Sequence, residues 1–158
     1  MGLYMNYPGM TGDATETGFQ GWITLTSLQF GTGRSISSNV GSTTNREAAP
    51  PVLSDVTVTK SLDASSSQLF RASVSLGQGD TVQIAATKTG SHGEAYLQYT
   101  LTDVIISSYS ISTSGDRPTE HISISCAQFS MTTIMTDSAN NPLNPVTTGY
   151  DLSKNTPV

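Results

Sequence analysis

The sequence predicts a single, mainly β domain spanning residues 1–158, and three observations carry that expectation. Apolar residues recur at alternate positions in several short segments, the pattern of strands with one buried face. Gly, Pro, Asn and Ser punctuate those segments at close intervals. Charged residues make up only 12% of the chain, too few for the solvated faces of surface helices, while Ser and Thr, which suit pleated sheet and turn, are abundant. The length of 158 residues is enough to bury a continuous core without disulfides or metal.

The elements follow in order. Leu3, Met5 and Tyr7 alternate with Gly2, Tyr4 and Asn6, so the chain opens on a strand that runs into a loop at Pro8-Gly9 and Gly12-Asp13. From Trp22 to Phe30 one strand is expected with both faces partly buried. Ile23 and Leu25 lie on one face, Trp22, Leu28 and Phe30 on the other. Residues 31–52 lack periodicity and close on Pro50-Pro51, a long irregular arm. Structureless connections beyond about 12–15 residues inside a compact domain usually have a task, such as docking to a neighbour. Val56 and Val58 then mark a strand ending near Lys60. The single helical pattern follows, with Ser66 as cap, Leu69, Phe70 and Val74 on one face, and Gly77 as the left-handed residue at its end.

Thr81–Lys88 and the segment from Ala95 through Ile111 read as a hairpin around the turn at 89–93. The last long strand carries its apolar set on even positions at Ile122, Ile124 and Cys126, then on odd positions at Phe129 and Met131. Such a change of phase implies a bulge, or burial of opposite faces in succession. Asn140-Asn141-Pro142 and Asn144-Pro145 turn the chain towards Tyr150, Leu152 and Val158. The whole reads as a β-barrel or sandwich with one helix.

Charge narrows the function. With a net charge of -5 and seven Lys plus Arg spread along the chain, no basic stripe exists to neutralise phosphates, so nucleic acid is not an expected partner. Cys126 has no second cysteine to pair with, and the fold is therefore compatible with a reducing compartment. No basic segment followed by an apolar run opens the chain, and no stretch reaches the roughly 20 apolar residues of a membrane span. Neither a cleaved signal peptide nor a membrane anchor is expected.

Catalytic signatures are missing: there is no G-x-S-x-G elbow, phosphate-binding glycine loop or HExxH helix. His92 falls in a turn and His121 opens a strand, neither with a second ligand at metal spacing, so no metal or other cofactor is expected. Cys126 on an apolar face reads as core filler. Asp13, Glu16, Asp55, Asp63 and Asp103 could meet across strands as an acid/base pair, but turns and strand ends are where solvated or capping carboxylates also sit. Trp22, Tyr96 and Tyr99 could form a ligand platform, although strand aromatics more often fill cores and interfaces. The reading is of a non-enzyme, with a monomeric β-sandwich that binds a ligand or carbohydrate as the alternative.

A resemblance sharpens this. Tyr4-Met5 with Pro8-Gly9-Met10 and Gly12-Asp13-Ala14-Thr15, then Gly21-Trp22-Ile23 through Gln29-Phe30-Gly31, then Asp55-Val56-Thr57-Val58-Thr59-Lys60 with Leu62-Asp63, Ser66, Leu69 and Ala72 run in the order of the haemolysin-coregulated protein (Hcp) family of type VI secretion systems. Tyr96-Leu97, Leu101-Thr102-Asp103-Val104-Ile105-Ile106-Ser107-Ser108, Ser114-Gly115, Glu120 and the closing Gly149-Tyr150-Asp151-Leu152 with Asn155 continue it. Ser67, Leu28 and Ser125-Cys126 depart from the family's proline, its first paired aromatic and its Asn-Phe.

The resemblance implies a two-sheet β-barrel with one short α-helix and a long extended loop, six copies of which assemble as a hexameric ring. Rings would stack into a tube, driven outward by a contractile sheath behind a VgrG-type spike protein, with small effector proteins in the lumen. Such a protein is assembled in the bacterial cytoplasm and secreted to the medium or a target cell. Gln29, between the family's aromatic pair, is the position implied to face the lumen and touch an effector. The arm, with Arg34, Ile36, Val40, Arg46 and Glu47, is implied to reach a neighbouring ring or subunit. Phe129 and Met131, beyond the change of phase, are expected at a ring or stacking interface.

Overall fold

The computed structural model describes residues 1–38, 40–41, 47–75, 79–89 and 93–158. Strand β1 (Leu3–Asn6) is followed by β2 (Ile23–Thr24) and β3 (Ser27–Gln29). The arm contains β4 (Thr32–Gly33), β5 (Ile36–Ser37), β6 (Glu47–Ala48) and β7 (Val52–Leu53). Strand β8 (Val56–Ser61) leads to helix α1 (Ser66–Val74). Then come β9 (Asp80–Thr87), the 18-residue β10 (Ala95–Ser112), β11 (Thr119–Ser125), β12 (Gln128–Thr133), β13 (Val146–Asp151) and β14 (Thr156–Pro157).

Among the described residues the strand pairs are antiparallel, and those outside the arm build two sheets around one core. The first runs β2-β1-β9-β10-β12-β13-β14 and the second β3-β8-β11-β10. Register makes the core legible as rows. Ile23, Met5, Ile84, Tyr99 and Met131 stand side by side across the first sheet. Leu28, Val58, Ile122 and Tyr109 do so across the second. The alternate residues of each strand necessarily face away from this core.

The sheets share their chain at three places, and these correct two expectations. The strand expected over Trp22–Phe30 is divided. Leu25 donates its N–H to Leu3 in the first sheet at 2.8 Å, and Thr26 donates to Thr59 in the second at 2.7 Å. Apolar residues therefore appear on both faces because the chain changes sheets between those residues. The last long strand is likewise two: β11 belongs to the second sheet and β12 to the first. The phase change near Cys126 marks that crossing. Strand β10 supplies the third, pairing with β9 and β12 up to Val104 and with β11 from Ile105. The register slips between Leu101 and Val104, where Asp103 adopts a left-handed φ of 54°; Asp tolerates this better than most residues.

The arm is also more regular than expected. Strand β4 pairs with β7 and β5 with β6, so residues 32–37 and 47–53 form a narrow two-stranded ribbon. Its side chains face solvent too often to show alternation, which is why the sequence reads as irregular.

Helix α1 differs in its details. Ser65 precedes it and Ser66 is already inside. Leu69 is buried, whereas Phe70 and Val74 are exposed; Gly77 and His92 lie outside the described residues. The loop between β1 and β2 folds across the outer face of the first sheet, where Phe19 stacks on Tyr4 and meets Trp22 edge-on. Gly12 is required there: a Cβ would stand 2.4 Å from the carbonyl oxygen of Trp22.

Candidate functional site

The buried polar groups come first, because any catalytic site would draw on them. Lys60 and Glu120 oppose each other across β8 and β11, and both are fully buried. The Lys60 ammonium lies 2.5 Å from Glu120 Oε2 and 2.9 Å from Asp63 Oδ1. Ser66 Oγ accepts from Lys60 Nζ at 3.2 Å and donates to Glu120 Oε2 at 2.8 Å. The Tyr109 hydroxyl donates to Glu120 Oε1. Burial, followed by this contact with the carboxylate, pushes the Tyr109 hydroxyl well above the usual phenol range.

Every polar atom of this cluster faces another polar atom. It ties α1 to the second sheet, and of its members Asp63 also lines an open depression with Asp13, Thr24, Thr26, Ser61, Leu62 and Arg117. Sequence reading missed the cluster, yet a signal existed. Lys60 shares the inward phase of Val56 and Val58, and Glu120 that of Ile122 and Ile124. Opposite charges at inward positions of neighbouring strands are a buried ion pair waiting for register.

The other candidate carboxylates disperse. Glu16 accepts from the Tyr4 hydroxyl, a bond that, with burial, raises the Tyr4 hydroxyl to about 12. Asp55 accepts from Ser107 Oγ at 2.5 Å. Asp13 and Asp103 are exposed. Among the described residues no three metal-ligating side chains gather. Tyr99 is buried and packs against Phe30 and Phe129, so it belongs to the core and not to a surface platform. Cys126 is buried as well, and burial, then the nearby Asp55 charge, raises its thiol to about 11.

The residues expected to serve assembly fall into three groups. Arg34, Ile36 and Val40 are exposed on the arm, and Val52 on its return strand joins them at 67% exposure. Glu47 opposes Ser37 in the ribbon; Arg46 lies outside the described residues. Phe129 is buried, with its ring against Phe30 and Tyr99, and Met131 is half-buried against the same core. The change of phase that suggested an interface there is the crossing between sheets.

Gln29 is exposed on β3, at an open depression formed with Phe30, Gly31, Ser54, Asp55 and Thr57. Its row continues across the outer face of the second sheet through Thr57, Ser123 and Ser108. A parallel row holds Ser27, Thr59, His121 and Ser110, and a third Ser61, Thr119 and Ser112. All are exposed or half-exposed. The hydroxyls meet along the rows, with Thr57 Oγ1 3.4 Å from Ser123 Oγ and Thr59 Oγ1 3.2 Å from His121 Nδ1. These three rows are polar, readable beforehand as the outward phase of β8 and β11, and the next row of the same face pairs Ser125 with the exposed Ile105.

No curated protein sequence matches the chain, but solved structures do. A type six secretion system protein superposes with a TM-score of 0.89 at 22% identity, covering 99% of both chains. Hcp1 from Salmonella typhimurium gives 0.80 at 19% identity over 99% of this chain and 98% of its own. A type VI secretion system effector from Yersinia pestis gives 0.72 at 20% identity, over 94% and 98% respectively. At these identities the likeness establishes the shared fold. The family model described as "Type VI secretion system effector, Hcp" matches residues 4–132, most of the sequence and both sheets up to β12. The chain belongs to the Hcp family, the tube proteins of type VI secretion systems.

Proposed function

We propose that this chain is a structural subunit whose copies close into hexameric rings, and that the rings stack into the tube of a type VI secretion system. The observation that carries the proposal is the arm. It projects Ile36, Val40 and Val52 into solvent on a ribbon too narrow to bury them, which costs free energy in a monomer and is recovered against a second copy. A head-to-tail contact that closes on itself gives a ring. Arg34, Arg46 and Glu47 accompany the apolar residues at that contact, with Phe129 and Met131 supporting it from inside the barrel.

In this reading a contractile sheath drives the tube outward behind a VgrG-type spike, and small effector proteins travel in the lumen beside Gln29. The tube assembles in the bacterial cytoplasm and is secreted to the medium or a target cell. No observation favours the ligand- or carbohydrate-binding alternative. Native mass spectrometry of the purified chain should give hexamers, and a strictly monomeric protein at micromolar concentration would overturn the proposal. Deleting residues 35–48 should leave the monomer folded and weaken ring stacking; unchanged stacking removes the arm from that contact.

A further inference from the structure

The connection from β12 into β13 carries three exposed apolar side chains, Met135 at 64%, Leu143 at 50% and Val146 at 61%. It is folded before anything docks on it. Leu143 donates its N–H to the Met135 carbonyl at 2.7 Å, Thr136 bridges to Pro142, and Asp137 Oδ1 accepts the N–H groups of Ala139 and Asn141, both at 2.9 Å. The loop opens onto a depression lined by Phe19, Ala95, Ile134 and Pro142, where Lys88 and Glu94 are of opposite charge. The arm leaves the barrel at the other end. Its neck is closed by the Ser54 N–H, donated to the Gly31 carbonyl at 2.9 Å, and Phe30 beside that neck packs its ring 4.6 Å from Phe129, at the start of β12. The apolar loop follows Thr133, at the end of β12, roughly 17 Å farther on at about 3.3 Å per residue.

We propose that this loop is the seat for the arm of a second copy, one that belongs to the next ring of the stack. The inference rests on the tube reading and names the surface which that reading leaves open. Two halves of a heterologous contact at opposite ends of one strand repeat along an axis, so they build a stack and not a closed ring. Both halves expose aliphatic side chains that a monomer leaves uncovered, Ile36, Val40 and Val52 on the arm and Met135, Leu143 and Val146 at the seat. Charge selects between this seat and its rival. Residues 32–53 carry Arg34, Arg46 and Glu47, a net charge of +1, and the loop carries Asp137 alone. Helix α1 also exposes Phe70 and Val74, but its one charged residue is Arg71, of the same sign as the arm. A loop already held by its own hydrogen bonds loses little conformational freedom on docking.

The test counts stacked rings of the full chain by electron microscopy across a concentration series. Leu143→Ser, and separately Asp137→Asn, which keeps the Oδ1 acceptor of its turn, should each raise the concentration at which half of the rings are stacked by about tenfold, because every junction repeats the lost contact around the ring. Phe70→Ser with Val74→Ser should leave that concentration unchanged. In a Cys126→Ala background, oxidation of Val40→Cys with Leu143→Cys should give a ladder of disulfide-linked chains, and Val40→Cys with Phe70→Cys should give none. Rings that stack equally well in both loop variants, a ladder in the Phe70→Cys pair, or wild-type rings that neither stack nor cross-link when concentrated overturn this inference alone. Absence of rings overturns the tube reading and this inference with it.

Discussion

Lys60 and Glu120 are the residues on which the barrel is least forgiving. Each is fully buried; Ser66 is partner to both, while Asp63 pairs with Lys60 and Tyr109 donates to Glu120. Lys60→Ala leaves two carboxylates without their cation, and the expected loss is about 3–5 kcal/mol, measured as a lowered urea midpoint at constant slope. Lys60→Met combined with Glu120→Leu should recover much of that loss, since an apolar pair needs no desolvation of charge. Cys126 gives a second expectation. Its thiol is raised from 9.0 to about 11 by burial and Asp55, so the unfolded chain ionises before the folded one. The corresponding stability is fully present below about pH 9 and is lost as pH rises towards 11. Thermal melts from pH 8 to 11 should show a smaller alkaline decline in Cys126→Ala, and a thiol reagent at pH 8 should label the native protein slowly.

At the scale of elements, α1 is a helix fastened by polar groups and one apolar anchor. Leu69→Ala should cost about 2–5 kcal/mol, whereas Phe70→Ser, at a residue 55% exposed, should change monomer stability by less than about 1 kcal/mol. Chemical denaturation of both variants separates the two positions. The helix also marks a limit of sequence reading. The 3.6-residue period groups Leu69, Phe70 and Val74 but cannot say how wide the covered stripe is, and here α1 packs against β10 and buries only Ser66 and Leu69. Alternation located β1, β8 and β9 because each of those strands keeps its phase while one face stays on the core, and it located β10 despite the change of phase between Leu101 and Val104 because each half alternates. It joined β2 to β3 and β11 to β12, because periodicity records which side is buried and not which sheet buries it. The hydroxyl wall was present in the sequence as Thr57, Thr59 and Ser61 opposite His121 and Ser123. Only register brought them into rows.

For the whole molecule, the two sheets should not unfold separately. Leu25–Thr26, the β10 bulge and Cys126–Ala127 each carry the chain from one sheet to the other, and one apolar cluster is common to both. Far-ultraviolet circular dichroism and tryptophan fluorescence should report the same denaturation midpoint. Amides in β9 and β11 should exchange with similar protection against hydrogen exchange; a protected first sheet with a freely exchanging second would contradict this. Strand β10 has a mechanical meaning as well. A tube that is pushed must pass thrust from one wall of each subunit to the other, and a shared strand lets covalent bonds carry that load where side-chain packing would slip. Asp103, at the bend, is then the elbow of a strut, and the barrel can transmit force without being rigid everywhere.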